Sequence, residues 1–338
     1  MDDDSIQTLR KSTRESLKLN RRFQRDEVND VQRCIKQLSI SPQSFDEVVQ
    51  KLKSKSIVMD ADLQILKNGL MDNPKNIEIV LRTHGTLRGL VRELSGNDIR
   101  KQCAAAGCCC NLALGDSRAC MAIAKASGPY LTAALDNLTA ELAINCAWAL
   151  GNLTGSGTKA CDVLVAQGAL SKLCELLERN NDDLQEAATY ALTHFAYHME
   201  DDLRTEHLQK LLKALSKIEA SPSTCQLAFI LSCHGDFVES VPGEFPQRLL
   251  AALDTCVARH QGGCGRDCNC ELVYVVRTLA NMDEEVYGAV LHRFSSGDLG
   301  KRLWQILNSD SGGLGQSLLW LFGNLYNSRT DDAFFATL

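Results

Sequence analysis

Six helical segments of this 338-residue chain end on comparable landmarks at nearly constant intervals. They are Asn111 in GCCCNLA, Asn152 in WALGNLT, His194 in YALTHFA, Cys233 in FILSCHG, Asn281 in RTLANMD and Asn324 in WLFGNLY. Subtracting neighbours gives steps of 41, 42, 39, 48 and 43 residues. A period near forty, with helical rather than alternating apolar spacing, confines the chain to a repeat architecture in which each unit buries its face against its neighbours. Glycines set the plan inside the unit. Gly85 in THGTLRGLV, Gly128 in ASGPYLTAAL and Gly168 in AQGALSKLCELL each stand between a short helix and a longer apolar one. A glycine there supplies a positive-φ turn at little steric cost. Each unit therefore reads as a short helix, a Gly turn, a second helix and a long third helix carrying the landmark. Three-helix armadillo units fit this plan better than two-helix HEAT units. The predicted fold class is all-α: an armadillo-type right-handed α-solenoid of about six repeats with an N-terminal basic helix.

The repeats are expected at Lys75 to Gly115, Asp116 to Gly157, Thr158 to His198, Met199 to Gly235, Asp236 to Met282 and Asp283 to Tyr326. Residues 75–326 thus form the repeat region. Residues 31–74 read as a linker and degenerate capping helices, SFDEVVQKLKSK and DADLQILKNGLMD, that close the apolar stack. Residues 327–338, NSRTDDAFFATL, are too short for another repeat and read as a truncated tail or a short helix folding back.

With 45% apolar residues, 23% charged residues and 6 Pro, the chain can bury a substantial core. The weakly charged stretch Ser311 to Ser328 is broken by Gly, Gln and Asn, so no membrane span is expected. Asp2, Asp3 and Asp4 directly after Met1 do not suit a signal peptide. Most of the 15 cysteines lie inside apolar helical runs such as CAAAGCCCNLAL, where Cys acts as a small hydrophobe. That usage points to a reducing compartment, cytoplasm and nucleus. The sequons at Asn137 and Asn152 are accordingly expected to be unused.

Trp148 with Asn152, and Trp320 with Asn324, stand four residues apart on third helices and share a helical face. An Asn carboxamide offers donor and acceptor to an extended backbone, while an indole packs alkyl stems and attracts a cation. The candidate peptide-binding residues are therefore Trp148, Asn152, Asn111, Tyr190, His194, Asn281, Trp320 and Asn324. The array is incomplete: Gly107, Tyr190 and Arg277 occupy the position four residues before Asn111, His194 and Asn281. An Arg there would repel a basic peptide locally and favour a less basic one.

Other chemistry finds little support. CVARHQGGCGRDCNC places Cys256, His260, Cys264, Cys268 and Cys270 close together, but the spacing is not that of paired zinc knuckles. A structural zinc site, oxidation-prone loop cysteines and a reduced loop are the alternatives there. GSGTKA (Gly155 to Ala160) lacks P-loop spacing and follows a helix where a strand is required. No HExxH, nucleophile elbow or paired-carboxylate motif is present, so neither catalysis nor a cofactor is expected.

The segment LRKSTRESLKLNRRFQR (Leu9 to Arg25) carries seven basic residues on a thin apolar stripe. By charge pattern it is either a partner-binding helix or a solvated arm. The first thirty residues balance seven basic against seven acidic, leaving 29 basic and 35 acidic elsewhere, so no extended nucleic-acid surface is implied. LRKSTRESLKLNRR resembles the later half of the importin-β-binding helix that opens importin-α proteins, approximately LRKxKRxExxLKRR, with basic pairs at both ends retained. The same family carries WxxxN units on armadillo third helices, and AWALGNLTGSG followed by LVAQGALSKLCELL is similar to that region. The divergent armadillo proteins named for transmembrane and coiled-coil domains are a second resemblance.

The first resemblance implies a nuclear-import adaptor. Residues 1–30 would bind an importin-β-type receptor through Arg10, Lys11, Arg14, Lys18, Arg21 and Arg22, and the groove would hold a cargo protein bearing a linear import signal. An armadillo scaffold or dedicated chaperone without a transport cycle is the alternative. Importin-α usually places acidic residues near its Trp/Asn units, often three residues before the Trp, whereas this chain has Asn145 and Ser317 there.

Overall fold

The computed structural model describes residues 42–199, 202–261, 266–309 and 313–327. The basic segment predicted at 1–30 and the tail beyond Asn327 lie outside the described residues. All regular structure among the described residues is helical, as the repeat pattern predicts. The helices are α1 (Pro42–Lys53), α2 (Asp60–Asp72), α3 (Lys75–Arg82), α4 (Thr86–Leu94), α5 (Ile99–Leu112), α6 (Ser117–Ala134), α7 (Ala140–Thr154), α8 (Thr158–Ala166) and α9 (Ala169–Leu177). They continue as α10 (Asp182–Met199), α11 (Thr205–Leu215), α12 (Pro222–Leu231), α13 (Phe237–Ser240), α14 (Phe245–Gln261), α15 (Arg266–Ala280), α16 (Glu284–Ser295), α17 (Leu299–Ser309) and α18 (Gly313–Asn327). The chain divides into two compact units that meet in sequence between Ala169 and Leu170.

Each unit is an armadillo-type stack. In the first, α3, α4 and α5 make a complete short–second–third triplet; in the second, α13 to α15 and α16 to α18 do the same. Gly85 (φ 98°) and Gly168 (φ 82°) make the left-handed turns expected of them. Gly128 does not. It adopts no positive φ, and α6 runs unbroken through it with Pro129 inside the helix. The residue before a proline is normally pushed out of the helical region by a clash with its own Cβ, and glycine has none, so the first and second helices fuse. The glycine is needed there for close approach instead: a Cβ would run into Gln167 and Leu164, and Gln167 Nε2 donates to the Ala124 carbonyl at 3.2 Å. A second departure is α11 and α12, which form a two-helix repeat.

Third helices form the interior layer. In the first unit α2 packs on α5 and α5 on α7; in the second, α10 packs on α12, α12 on α15 and α15 on α18. Small side chains make this possible, because Ala, Cys and Gly let helix axes approach closely while still removing apolar surface from water. Ala105, Ala106, Cys108 and Cys109 on α5, and Ala143, Cys146, Ala147 and Leu150 on α7, are fully buried. Burial pushes the thiols of Cys109, Cys161 and Cys225 up to about 12, so they behave as small hydrophobes rather than thiolates. Side-chain caps start the helices. Asp98 accepts from the Arg100 and Lys101 amides, Asp116 from Ala119, and Asp283 from Val286.

The N-terminal edge is pinned by a buried acid. Burial alone would raise the Asp62 carboxyl. Its 2.7 Å hydrogen bond from Lys51 Nζ and the one from the Met59 amide outweigh that and hold it below the usual carboxylate value. Gly89 on α4 lies so close to the Leu52 carbonyl of α1 that a Cβ has no room. Gly89→Ala should therefore destabilise the protein by about 1–3 kcal/mol through overpacking. Gly288→Ala on α16, where nothing lies within 4 Å, should be neutral or stabilise by up to about 1 kcal/mol. Urea unfolding of the two variants beside wild type checks the contrast.

Candidate functional site

The landmark asparagines sit in a fixed register. Asn111 Nδ2 on α5 donates to the Lys67 carbonyl of α2 at 2.9 Å, and Asn152 Nδ2 on α7 donates to the Cys110 carbonyl of α5 at 3.3 Å. In the second unit Asn324 Nδ2 on α18 donates to the Ala280 carbonyl of α15 at 2.7 Å. The acceptor is the residue just before the preceding landmark: Cys110 before Asn111, Ala280 before Asn281. Asn281 keeps the register through a side chain, donating to Ser232 Oγ at 2.9 Å, and Ser232 precedes Cys233. By the same rule Lys67 marks Asn68 as a further landmark, 43 residues before Asn111 (111 − 68). Asn68 is exposed. Its position on α2 was legible only as the first member of the same period.

The residues four before the landmarks form a second row. The first unit has Gln64, Gly107 and Trp148; the second has Tyr190, Phe229, Arg277 and Trp320. A search for Trp and Asn passes over Phe229, although it stands four residues before Cys233. The Tyr190 ring meets His194 edge-on at 4.9 Å and 80°. Phe229 stacks on Tyr274 at 5.9 Å and 26°, and the Arg277 guanidinium lies 5.5 Å from the Phe229 ring centroid. Arg277 Nε also donates to Ser317 Oγ at 2.9 Å. Burial lowers the Arg277 pKa from its ordinary value.

The structure thus brings Asn111, Trp148 and Asn152 onto adjoining third helices of the first unit, and Tyr190, His194, Asn281, Trp320 and Asn324 onto successive third helices of the second. Their accessibility differs. Trp148, Trp320, Arg277, Asn281 and Asn324 are half-buried, whereas Asn111, Asn152, Tyr190 and His194 are each at most 7% exposed. The asparagine Nδ2 groups act first as staples between helices, and Asn324 Nδ2 also lies 3.4 Å from the Tyr287 hydroxyl. The carboxamide is therefore partly engaged within the protein itself. Asn145 and Ser317, at the positions where an acid was sought, do similar work: Asn145 Nδ2 reaches the Cys103 carbonyl at 3.5 Å, and Ser317 is 2% exposed.

The Cys-rich segment offers no centre among the described residues. Cys256 is fully buried on α14, where burial and then the Glu271 charge push its thiol up, away from the thiolate a metal needs. His260 is half-buried on the same helix. The side chains of Cys264, Cys268 and Cys270 lie outside the described residues. A cleft of about 600 Å³ nearby is lined by Thr224, Cys225, Phe245, Arg248 and the 3.1 Å Arg259–Glu271 ion pair. Among the described residues no group of three or more His, Cys, Asp or Glu side chains is arranged to hold a metal. No helix there is long and apolar enough to cross a membrane.

Comparison with known proteins follows the same line. No family model matches the chain. It is 30% identical over 192 residues to importin subunit alpha-9 of Arabidopsis thaliana, a match covering 53% of this chain and 36% of that relative. The matched part therefore amounts to little more than a third of the relative's length. Among solved structures, it superposes on an engineered protein from the Northeast Structural Genomics Consortium with a TM-score of 0.63 at 19% identity, over 83% of this chain and 68% of that one. A designed armadillo repeat protein gives a TM-score of 0.49 at 18% identity, over 82% and 98% of the two chains. The chain is similar in sequence, over part of its length, to an importin-α-type protein, and its helices are arranged as armadillo-type repeats.

The staple register can be tested apart from any partner. Asn324→Ala removes a donor from the Ala280 carbonyl and should cost about 1–2 kcal/mol of stability. Asn68→Ala, on an exposed residue at the start of the stack, should change stability by less than about 0.5 kcal/mol. Equal losses in chemical denaturation would remove the staple role.

Proposed function

We propose that this chain is an importin-α-like nuclear-import adaptor. Its basic N-terminal segment, residues 1–30, binds an importin-β-type receptor, and third-helix faces within residues 75–326 hold a cargo segment bearing a linear import signal. The observation that carries this reading is the register of the third helices, in which Trp148, Arg277 and Trp320 each stand one helical turn before a stapled amide, Asn152, Asn281 and Asn324. Within each unit such a row can meet an extended peptide at successive positions, with Trp148 in the first and Trp320 in the second packing side chains and the Asn carbonyl oxygens accepting peptide N–H groups. The likeness to importin subunit alpha-9 supports import over other peptide-binding tasks.

The receptor end of the cycle is electrostatic. Arg10, Lys11, Arg14, Lys18, Arg21 and Arg22 match the importin-β-binding pattern. A basic helix meeting an acidic receptor surface is steered by charge and weakened by salt. The chain would then work between cytoplasm and nucleus. It would need no cofactor and perform no catalysis.

A second reading, an armadillo scaffold or dedicated chaperone without a transport cycle, is favoured by the burial of Tyr190 and His194 and by Arg277 among the row residues. Both readings use the same face, so the basic segment separates them. Importin-β binding by the full chain is compared with Arg21→Ala plus Arg22→Ala and with deletion of the first 26 residues. The adaptor should lose at least about tenfold in affinity on losing two charge-assisted contacts and lose measurable binding on deletion. Equal binding by the deletion variant sinks the adaptor and leaves the scaffold. Separately, Trp148→Ala should weaken cargo capture about tenfold or more while unfolding as wild type does, as expected of a half-buried aromatic anchor.

A further inference from the structure

We propose that Arg277 makes the third-helix face of the second unit select an acidic residue, Asp or Glu, in an extended peptide. The inference rests on the peptide-binding reading above and goes on to name the side-chain chemistry selected. Arg277 sits on α15 where neighbouring third helices carry Phe229 and Trp320. Its guanidinium is held from two sides, by the Phe229 ring at 5.5 Å and by Ser317 Oγ at 2.9 Å from Nε. Ser317 is fixed in turn through its hydroxyl, which donates to the Gly313 carbonyl at 2.7 Å. These contacts orient the group without neutralising it. No carboxylate pairs with Arg277 among the described residues.

Held this way, the guanidinium keeps its two terminal nitrogens for a ligand, and that edge matches the two oxygens of a carboxylate. Burial adds to the preference, because a half-desolvated cation gains more from an anion than a fully hydrated one does. Arg277 therefore places a positive charge with no paired carboxylate among the described residues on this face. A Lys or Arg at the same peptide position would meet repulsion from Arg277 instead of a partner. This is the reverse of a uniformly acid-lined groove reading an uninterrupted run of basic residues.

The test uses the full chain and a positional-scanning library of extended nonapeptides in which one position at a time is fixed as Asp, Glu, Ala, Lys or Arg. Wild type should prefer Asp or Glu over Lys at one position by about tenfold, the scale of one charge-assisted hydrogen-bonded pair. Arg277→Lys should keep the sign of that preference, Arg277→Gln should abolish it, and Arg277→Glu should invert it toward Lys and Arg. Thermal unfolding of each variant establishes that it is folded, and Arg277→Lys guards against the charge reversal failing to fold. If wild type selects peptides but its charge preference is unchanged in Arg277→Gln, the acidic selection is wrong while peptide binding stands. If wild type selects no peptide at any position, peptide binding falls and this inference falls with it.

Discussion

A carboxamide reaching from one long helix to the main-chain carbonyl of the long helix before it sets the spacing of each unit. Small residues on α5 and α7 bring the third helices together, but close packing of Ala and Cys surfaces would tolerate sliding along the axis. A hydrogen bond does not tolerate it. Asn111 on Lys67 and Asn152 on Cys110 lock the first unit, and Asn324 on Ala280 does the same in the second. Once that register is set, the residue one turn earlier on each helix comes to a corresponding place. The placing of Gly107 and Trp148 in one unit, and of Arg277 and Trp320 in the other, is a consequence of the lock.

Much of this was legible because the period can be counted along the chain and the glycine turns are local in sequence. The helix-ending landmarks could be counted, and Gly85 and Gly168 declared their turns because only glycine accepts those φ values without strain. Gly128 misled for an instructive reason. A glycine before a proline has two uses, a turn or a clash-free helical residue, and the choice depends on α8 packing against it. Phe229 and Asn68 were missed because the search was for chemical identity, whereas the structure repeats position. The double duty of the asparagines was also hidden. Nothing in a WxxxN string says that the amide nitrogen faces a neighbouring helix.

The missing acids at Asn145 and Ser317 have a physical account as well. Both positions lie against the preceding third helix, where Asn145 donates to Cys103 and Ser317 receives Arg277. A carboxylate at Asn145 would face a carbonyl oxygen and bear the cost of desolvation without a donor. A neutral amide thus suits the Asn145 contact, while the neutral hydroxyl of Ser317 accepts from Arg277 without cancelling its charge. The charge pattern of the face accordingly differs from that of a groove lined with acids, and Arg277 gives it a sign of its own.

The staple accepts on a main-chain carbonyl in three of its four instances. Every amino acid has that carbonyl, so the accepting position places little demand on side-chain identity. Such a scaffold separates two tasks that are usually entangled. The residues one turn before the staple can be rewritten one rung at a time, from Gly107 to Trp148 to Arg277, with the ruler that spaces them left intact. Divergence of the row and persistence of the fold are then the same property seen from opposite sides of the helix.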